Sequence, residues 1–206
     1  WGCQVLKNHG LNPICSLPTI IGPEFKPIPN KLELKKKYGL DKMKIIGTVM
    51  RNQRRKLFPD LFQAFREFLD ISGRKDVLLY THTSYPDKNP WHIPELLNEF
   101  NLSPKVIFTY VCNNCKLTFP AFYSDYHTVC KRCQSLCGTA GVHNGVNSQQ
   151  FAEIYNLFDV YVQYANSEAD GIPQKEAAAC AVPIMSVDFS GMSDVVRKLG
   201  GIPIAI

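Results

Sequence analysis

The chain of 206 residues contains no run of about 20 consecutive apolar residues, the length a helix needs to cross a bilayer, so nothing in it reads as a membrane span. Its opening, Trp1-Gly-Cys-Gln, does not read as a signal peptide. It lacks the Gly-x-Gly-x-x-Gly fingerprint that lets a backbone close on a dinucleotide, and it lacks a Walker loop, which argues against a generic dehydrogenase or ATPase. It has no internal repeat and no low-complexity tract. Neither sign of charge dominates: 23 Lys and Arg stand against 18 Asp and Glu, a formal net charge of +5. That balance favours a nucleotide or polyphosphate ligand without implying nucleic acid. Hydrophobic residues at 45% and charged residues at 20% describe an ordinary soluble protein, long enough for a substantial core in one domain plus a small attachment.

What is present begins with eight cysteines, four of them in the pairs Cys112-Asn-Asn-Cys115 and Cys130-Lys-Arg-Cys133, with 14 residues between the pairs. Each pair can place two thiolates on one side of a metal, and four thiolates suit tetrahedral zinc. Such a zinc has no open position, so its role is structural rather than catalytic. Redox or disulfide use and unrelated free thiols are the alternatives. Phe119, Phe122, Tyr123 and Tyr126 between the pairs predict a miniature core too small to stand unaided, which a zinc would stabilise. His127 and Cys137 are spare candidate ligands, whereas Cys3, Cys15 and Cys180 show no ligand spacing. With no secretion signal, the pairs point to a reducing, cytoplasmic compartment.

Along the chain, residues 1–9 resemble a helix end, and the Pro- and Gly-rich stretch 15–29 reads as an extended connector. Apolar runs predict strands at 44–50, 76–82, 105–109, 159–163, 182–187 and 200–206. Helices are expected between them, the clearest at 58–69, where Leu61, Phe62, Phe65, Phe68 and Leu69 recur at helical spacing. The basic stretch Lys31 to Lys37 reads as a solvated helix face. This alternation predicts an α/β protein with a Rossmann-like, mostly parallel sheet and helices on both faces, plus a small zinc-binding insert. The final strand has no sequel and the chain starts inside a helix, so the sequence reads as a fragment of a larger protein.

Two groups of residues stand out as candidate ligands. Arg51, Arg54, Arg55 and Lys56 put four cations just past the first strand, at the sheet edge where open α/β folds bind ligands; a solvated basic turn is the plainer reading. Glu168 and Glu176, eight residues apart, straddle a loop-to-helix junction marked by Gly171 and Pro173. The helix start offers unpaired N–H groups to an anion, so a phosphorylated ligand could lie between the two acids, and ordinary surface acids are the alternative. His82, His143 and the turn Ser190-Gly191-Met192-Ser193 could also face a ligand.

Together these pieces resemble the carboxyl-terminal, donor-binding domain of two-domain retaining glycosyltransferases of GT-B architecture, the group 1 type. That family carries an Arg-Asn-like turn with a Lys five residues after the Arg, matched by Arg51 and Lys56. It also carries a phrase like Glu-Gly-Phe-Gly-x-Pro-x-x-Glu-Ala-x-Ala-Cys-Gly-x-Pro, matched by Glu168, Gly171, Pro173, Glu176, Ala177, Ala179, Cys180 and Pro183. Phe25-Lys-Pro27 is similar to the end of the family's lead-in segment.

The resemblance implies that Arg51 and Lys56 grip the diphosphate of a UDP- or GDP-sugar and that Glu176 accepts hydrogen bonds from ribose. It implies that Glu168 lies against the sugar, and that the backbone of Ala169, Asp170, Gly171 and Ile172 contacts sugar or phosphate. Transfer would retain the anomeric configuration, with no protein nucleophile assigned. It further implies a division into 1–30, a lead-in from a missing amino-terminal acceptor domain, and 31–206, the nucleotide-sugar domain, with 110–137 inserted as a zinc-ribbon-like hairpin. Ala169 and Asp170 replace the usual Gly-Phe and Ala181 a usual Gly, which places an added carboxylate beside the donor. The insert could shape the base pocket, cover the acceptor cleft or dock a protein partner. A non-catalytic interaction module on the same scaffold is the competing expectation. Nucleic-acid binding through Lys131 and Arg132 ranks below both, because the basic residues are scattered.

Overall fold

A computed structural model of the chain describes residues 2–14, 17, 19–85, 91–124, 128–141 and 143–205. Cys15, Tyr126 and His127 lie outside the described residues. In chain order the elements are α1 (Gly2–Asn8), α2 (Lys31–Lys37), β1 (Lys44–Val49), α3 (Phe58–Ser72), β2 (Val77–His82), α4 (Ile93–Glu99), β3 (Val106–Cys112) and β4 (Thr118–Phe122). They continue with β5 (Thr128–Val129), β6 (Leu136–Thr139), α5 (Ser148–Leu157), β7 (Val160–Gln163), α6 (Ile172–Ala179), β8 (Ile184–Val187), α7 (Ser190–Lys198) and β9 (Ile202–Ile204).

Nine strands form one sheet in the order β5-β6-β3-β2-β1-β7-β8-β9, with β4 also paired to β3. The pairings among β1, β2, β3, β7, β8 and β9 are parallel; those of β4, β5 and β6 are antiparallel. From β1 the chain steps one way to β2 and β3, and from β7 it steps the other way to β8 and β9. Right-handed crossovers therefore put α3 and α4 on one face and α5, α6 and α7 on the other. The crevice between β1 and β7, at the strands' carboxyl ends, is the switch point where open α/β sheets take ligands.

Each face has its own core. Phe58, Phe62, Phe65, Leu79 and Leu97 pack on the α3 side, and Leu34, Tyr155, Phe158, Tyr161 and Val196 on the other. The second core requires Gly47: a Cβ there would stand 2.2 Å from the ring of Phe158, which is fully buried. Phe68, expected on the inner face of α3, is partly exposed and stacks on Phe65.

Several expectations are corrected. The α2 lysines are only in part a solvated face: Lys36 and Lys37 are exposed, and Lys35 is not. Lys35 is buried and donates to Met43 O at 2.9 Å and to Asp159 Oδ2 at 2.5 Å, while the same carboxylate oxygen accepts Ile45 N–H at 2.7 Å. Lys31 joins through Phe158 O and Asp159. One acid thus ties α2, β1 and the start of β7 together, which local sequence does not reveal. Nor, among the described residues, do Phe119 and Tyr123 of the cysteine segment form a miniature core. Phe119 stacks on Tyr110, Tyr123 packs edge-on against Phe108 and Tyr85, and Cys112, Cys130 and Cys137 belong to the α3-side core. The segment continues the main sheet because β4 and β6 both pair with β3. The last strand is shorter than expected, ending at Ile204.

Candidate functional site

A cavity of about 610 Å³ opens at the switch point. Arg51, Arg55 and Lys56 form one side, Glu168 to Pro173 a second, and His82, Thr83, Ser84, Ala140, Gly141 and Gly145 the remaining wall.

The β1–α3 loop is held by backbone-mimicking contacts. Asn52, buried, donates from Nδ2 to Trp91 O at 2.9 Å and accepts Trp91 N–H on Oδ1 at 3.0 Å. Arg54 leaves the cavity side and stacks its guanidinium 4.5 Å from the Trp91 ring. Arg55 turns to the loop after β7: its Nη1 reaches Ser167 O at 2.7 Å and Glu168 Oε1 at 2.8 Å, and its carbonyl accepts Asn166 N–H at 2.8 Å. Lys56, whose side chain is 7% exposed, contacts the same Glu168 oxygen. Burial, and then the Arg55 guanidinium, push the Lys56 ammonium down to about 7, and the Glu168 carboxylate opposes that shift by favouring the charged form.

The Glu168 loop is buttressed from α7. Glu168 O accepts Gly191 N–H at 3.0 Å and Ser190 Oγ–H at 2.9 Å. A Cβ on Gly191 would stand 2.0 Å from Ala169 O, so only glycine allows this approach. The Ser190-Gly191 turn thus shapes the loop from behind. Gly171 caps α6 in the left-handed region at φ 61°, and Pro173 occupies the first turn, as the sequence predicts.

The remaining candidates separate. Asp170 pairs with Lys175 and accepts from Thr19; burial acts to raise its carboxyl, but these two partners prevail and hold it below its ordinary value. Glu176 lies outside the cavity lining and faces α5, where Tyr155 donates to its Oε2 at 2.6 Å. Burial raises the Glu176 carboxyl, Tyr155 opposes this, and Glu24 adds to it. His82 lines the cavity, its Nδ1 lies 2.9 Å from Thr109 Oγ1, and burial pushes it down to about 4, so it is neutral at physiological pH. His143 is exposed and outside the lining. Sequence reasoning missed Thr83, Ser84, Gly141 and Gly145 as wall residues, and Thr19 as a partner of Asp170 from 151 positions away.

The cysteine pairs come together as their spacing predicts. Cys112 and Cys133 Sγ are 3.4 Å apart, Cys115 and Cys130 Sγ 3.6 Å, and all four lie within 4.8 Å of one another. A tetrahedron with metal–sulfur bonds of about 2.3 Å has edges of roughly 3.8 Å, so the donor set fits zinc. Both pairs use the same turn, closed by a residue in the left-handed region: Lys116 at φ 56° and Gln134 at φ 59°. Cys137 is buried beside the group but is not among the four sulfurs that converge. Cys180 is a buried thiol at the end of α6. No described helix is long and apolar enough to cross a membrane.

No protein family and no curated protein matches the sequence. Solved structures do match in fold. WaaG, a glycosyltransferase involved in lipopolysaccharide biosynthesis, superposes with a TM-score of 0.66 at 20% identity, over 97% of this chain and 45% of its own. Anabaena HepE in complex with UDP-glucose matches with a TM-score of 0.60 at 13% identity, over 88% of this chain and 40% of its own. The C-terminal domain of LpcC, a group 1 glycosyl transferase family protein from Francisella tularensis, matches with 0.54 at 15% identity, over 84% of this chain and 72% of its own. The chain spans less than half the length of WaaG and HepE. In fold, it is similar to the C-terminal domains of GT-B glycosyltransferases.

Proposed function

We propose that this chain is the donor-binding domain of a retaining glycosyltransferase and takes a UDP- or GDP-sugar into the switch-point cavity. The observation that carries the reading is the buried Lys56 ammonium, set against Glu168 in a cavity that Arg51 and Arg55 also line. A cation held out of water is the group that best stabilises the charge gathering on a departing diphosphate. Lys56 and Arg51 grip that diphosphate. Glu168, released from Lys56 by the incoming anion, turns its carboxylate to the sugar hydroxyls. The start of α6 brings the Gly171 and Ile172 backbone to the same ligand.

Asp170 does not oppose the donor as a bare carboxylate would, because Lys175 and Thr19 already answer its charge. Tyr155 holds one Glu176 oxygen, and giving the other to ribose takes the nucleoside past the cavity lining, outside which Glu176 lies. The four cysteines hold a structural zinc, a use of thiolates that suits a reducing compartment such as the cytoplasm. Acceptor binding belongs to a separate amino-terminal domain preceding residue 31, and the anomeric configuration is retained.

Calorimetric titration with UDP, GDP and their sugars tests the reading. Saturable uptake of one base class, strengthened by its sugar and weakened in Glu176→Ala, is the expected result. A folded protein that takes up none of them overturns the assignment and leaves the scaffold as a non-catalytic interaction module.

A further inference from the structure

The cysteine segment and the cavity share a wall. Strand β3 runs into the first metal knuckle at Cys112, and β6 brings the chain back antiparallel to it, with Cys112 opposite Cys137 and Tyr110 opposite Thr139. The chain then enters the cavity lining at Ala140 and Gly141. Ala140 N–H donates to Thr109 O at 2.9 Å, and Thr139 Oγ1 donates to Tyr85 O at 2.6 Å, so this return is fixed to β3 and to the segment after β2.

One side chain connects the knuckle to that wall. Asn144 Nδ2 donates to Val111 O at 2.9 Å and to Asn113 Oδ1 at 3.1 Å; Asn113 is the first of the two residues between Cys112 and Cys115. Asn144 Oδ1 accepts Lys116 Nζ at 3.3 Å, and Lys116 is the left-handed residue that closes the knuckle after Cys115. The Asn144 backbone exchanges both hydrogen bonds with Gly141, at 3.2 Å each way. Gly141 and Gly145, the residue after Asn144, line the cavity. Neither glycine has a side chain to anchor it, so the wall's position rests on its neighbours. A second contact leaves the same knuckle: Gln150 Nε2 donates to Lys116 O at 3.0 Å from the capping box of α5, whose Phe151 packs 4.9 Å from the cavity-lining ring of His82.

We propose that Asn144 is a positioning residue through which metal bound at Cys112, Cys115, Cys130 and Cys133 sets the Gly141–Gly145 wall of the donor cavity. The donor-affinity half of this inference rests on the function proposed above; the wall movement does not. Metal closes the knuckle by fixing Cys112 and Cys115 around one centre. Closure presents Asn113 Oδ1 and the Lys116 ammonium together to Asn144, and Asn144 holds Gly141 through its backbone. An open knuckle presents neither, and Asn144 then keeps only its bond to Val111 O, so Gly141 and Gly145 are held less closely to the sheet. The metal makes no contact with the donor and acts only on the shape of its seat.

The test titrates zinc into chelator-stripped protein and reads the backbone amide resonances of Gly141 and Gly145, alongside UDP affinity. In the wild type both glycine signals are expected to follow zinc to one equivalent, and UDP affinity to rise about tenfold. Asn144→Ala and Asn144→Asp keep the same zinc stoichiometry, but their glycine signals no longer follow the metal and zinc changes UDP affinity less than about twofold. Asn144→Asp keeps the shape and the Lys116 contact while removing the donor to Val111 and Asn113, so it isolates that link. The proposal is overturned if the glycines ignore zinc in the wild type, if they follow it equally in the variants, or if zinc leaves wild-type UDP affinity unchanged. It is also overturned if stripping zinc unfolds the whole sheet, because the effect would then not run through Asn144. Glycine signals that follow zinc through Asn144, in a protein that binds no nucleotide at all, uphold the wall coupling and refute the donor reading instead.

Discussion

Glu168 Oε1 meets the Lys56 ammonium at the edge of the cavity and takes Arg55 Nη1 on the same oxygen at 2.8 Å. A carboxylate thus occupies the position where two cations would otherwise meet a phosphate. Bare UDP has to displace it and gains nothing in return, whereas a UDP-sugar offers the displaced carboxylate new hydroxyl partners. Glu168→Gln is therefore expected to bind bare UDP several-fold tighter and to lose most of the extra affinity contributed by the sugar. Calorimetry with UDP and UDP-glucose on both proteins checks this; equal losses for the two ligands would contradict it.

Lys56 also gives binding a pH dependence. Burial and the Arg55 guanidinium push its ammonium down to about 7, Glu168 works against them, and an anionic ligand that displaces Glu168 favours the charged form in its place. Affinity for UDP is then greatest while Lys56 is charged and falls as pH rises through the free protein's pKa, by up to about tenfold per unit until the pKa of the complex is reached. Lys56→Arg keeps the charge throughout that range and should flatten the profile. A wild-type affinity constant between pH 6 and 9 would refute the link.

Gly191 carries the loop from behind. Replacing it with Ala drives a Cβ into Ala169 O, and a main-chain atom cannot swing aside as a side chain would. Gly191→Ala should cost roughly 1–3 kcal/mol of stability, measured by chemical denaturation, and should weaken donor binding although residue 191 does not line the cavity.

Asp159 tests the fold apart from the site. Its carboxylate joins buried Lys35 and the Ile45 N–H, and although burial acts to raise it, these partners hold it below its ordinary 3.8. The stabilisation is present above that ordinary value and is lost as pH falls through the lower folded value. Asp159→Asn leaves Lys35 without its counter-charge and should cost on the order of 3 kcal/mol near neutral pH, with the difference from wild type shrinking in acid. Denaturation midpoints at pH 7 and pH 3 give the comparison.

The features legible in the sequence are those whose residues are close together in it. The two Cys-x-x-Cys knuckles, the cation run after β1 and the Glu168–Pro173 junction each lie within one loop, where neighbours in sequence stay neighbours in space, although Arg54 turns out of the cation run to Trp91. The antiparallel addition of β4 and β6 to β3 was not legible, because spacing names no pairing partner and a metal knuckle reads equally well as a separate hairpin. Lys35 was misread for a similar reason: its partner Asp159 is 124 positions away, and a lysine-rich helix turn carries no sign that one lysine points inward. The Thr19–Asp170 contact and the place of Asn144 are likewise products of assembly.

The central claim, that Lys56 is the buried cation that receives a nucleoside diphosphate, is met most directly by titrating UDP and GDP into wild type, Lys56→Ala and Arg54→Ala. Arg54 is the control because it belongs to the same basic run but stacks on Trp91 away from the cavity lining. The account predicts that Lys56→Ala loses roughly 2–3 kcal/mol, or about 30- to 150-fold in affinity, while Arg54→Ala stays near wild type. Equal binding by wild type and Lys56→Ala, or equal losses in the two variants, would contradict it.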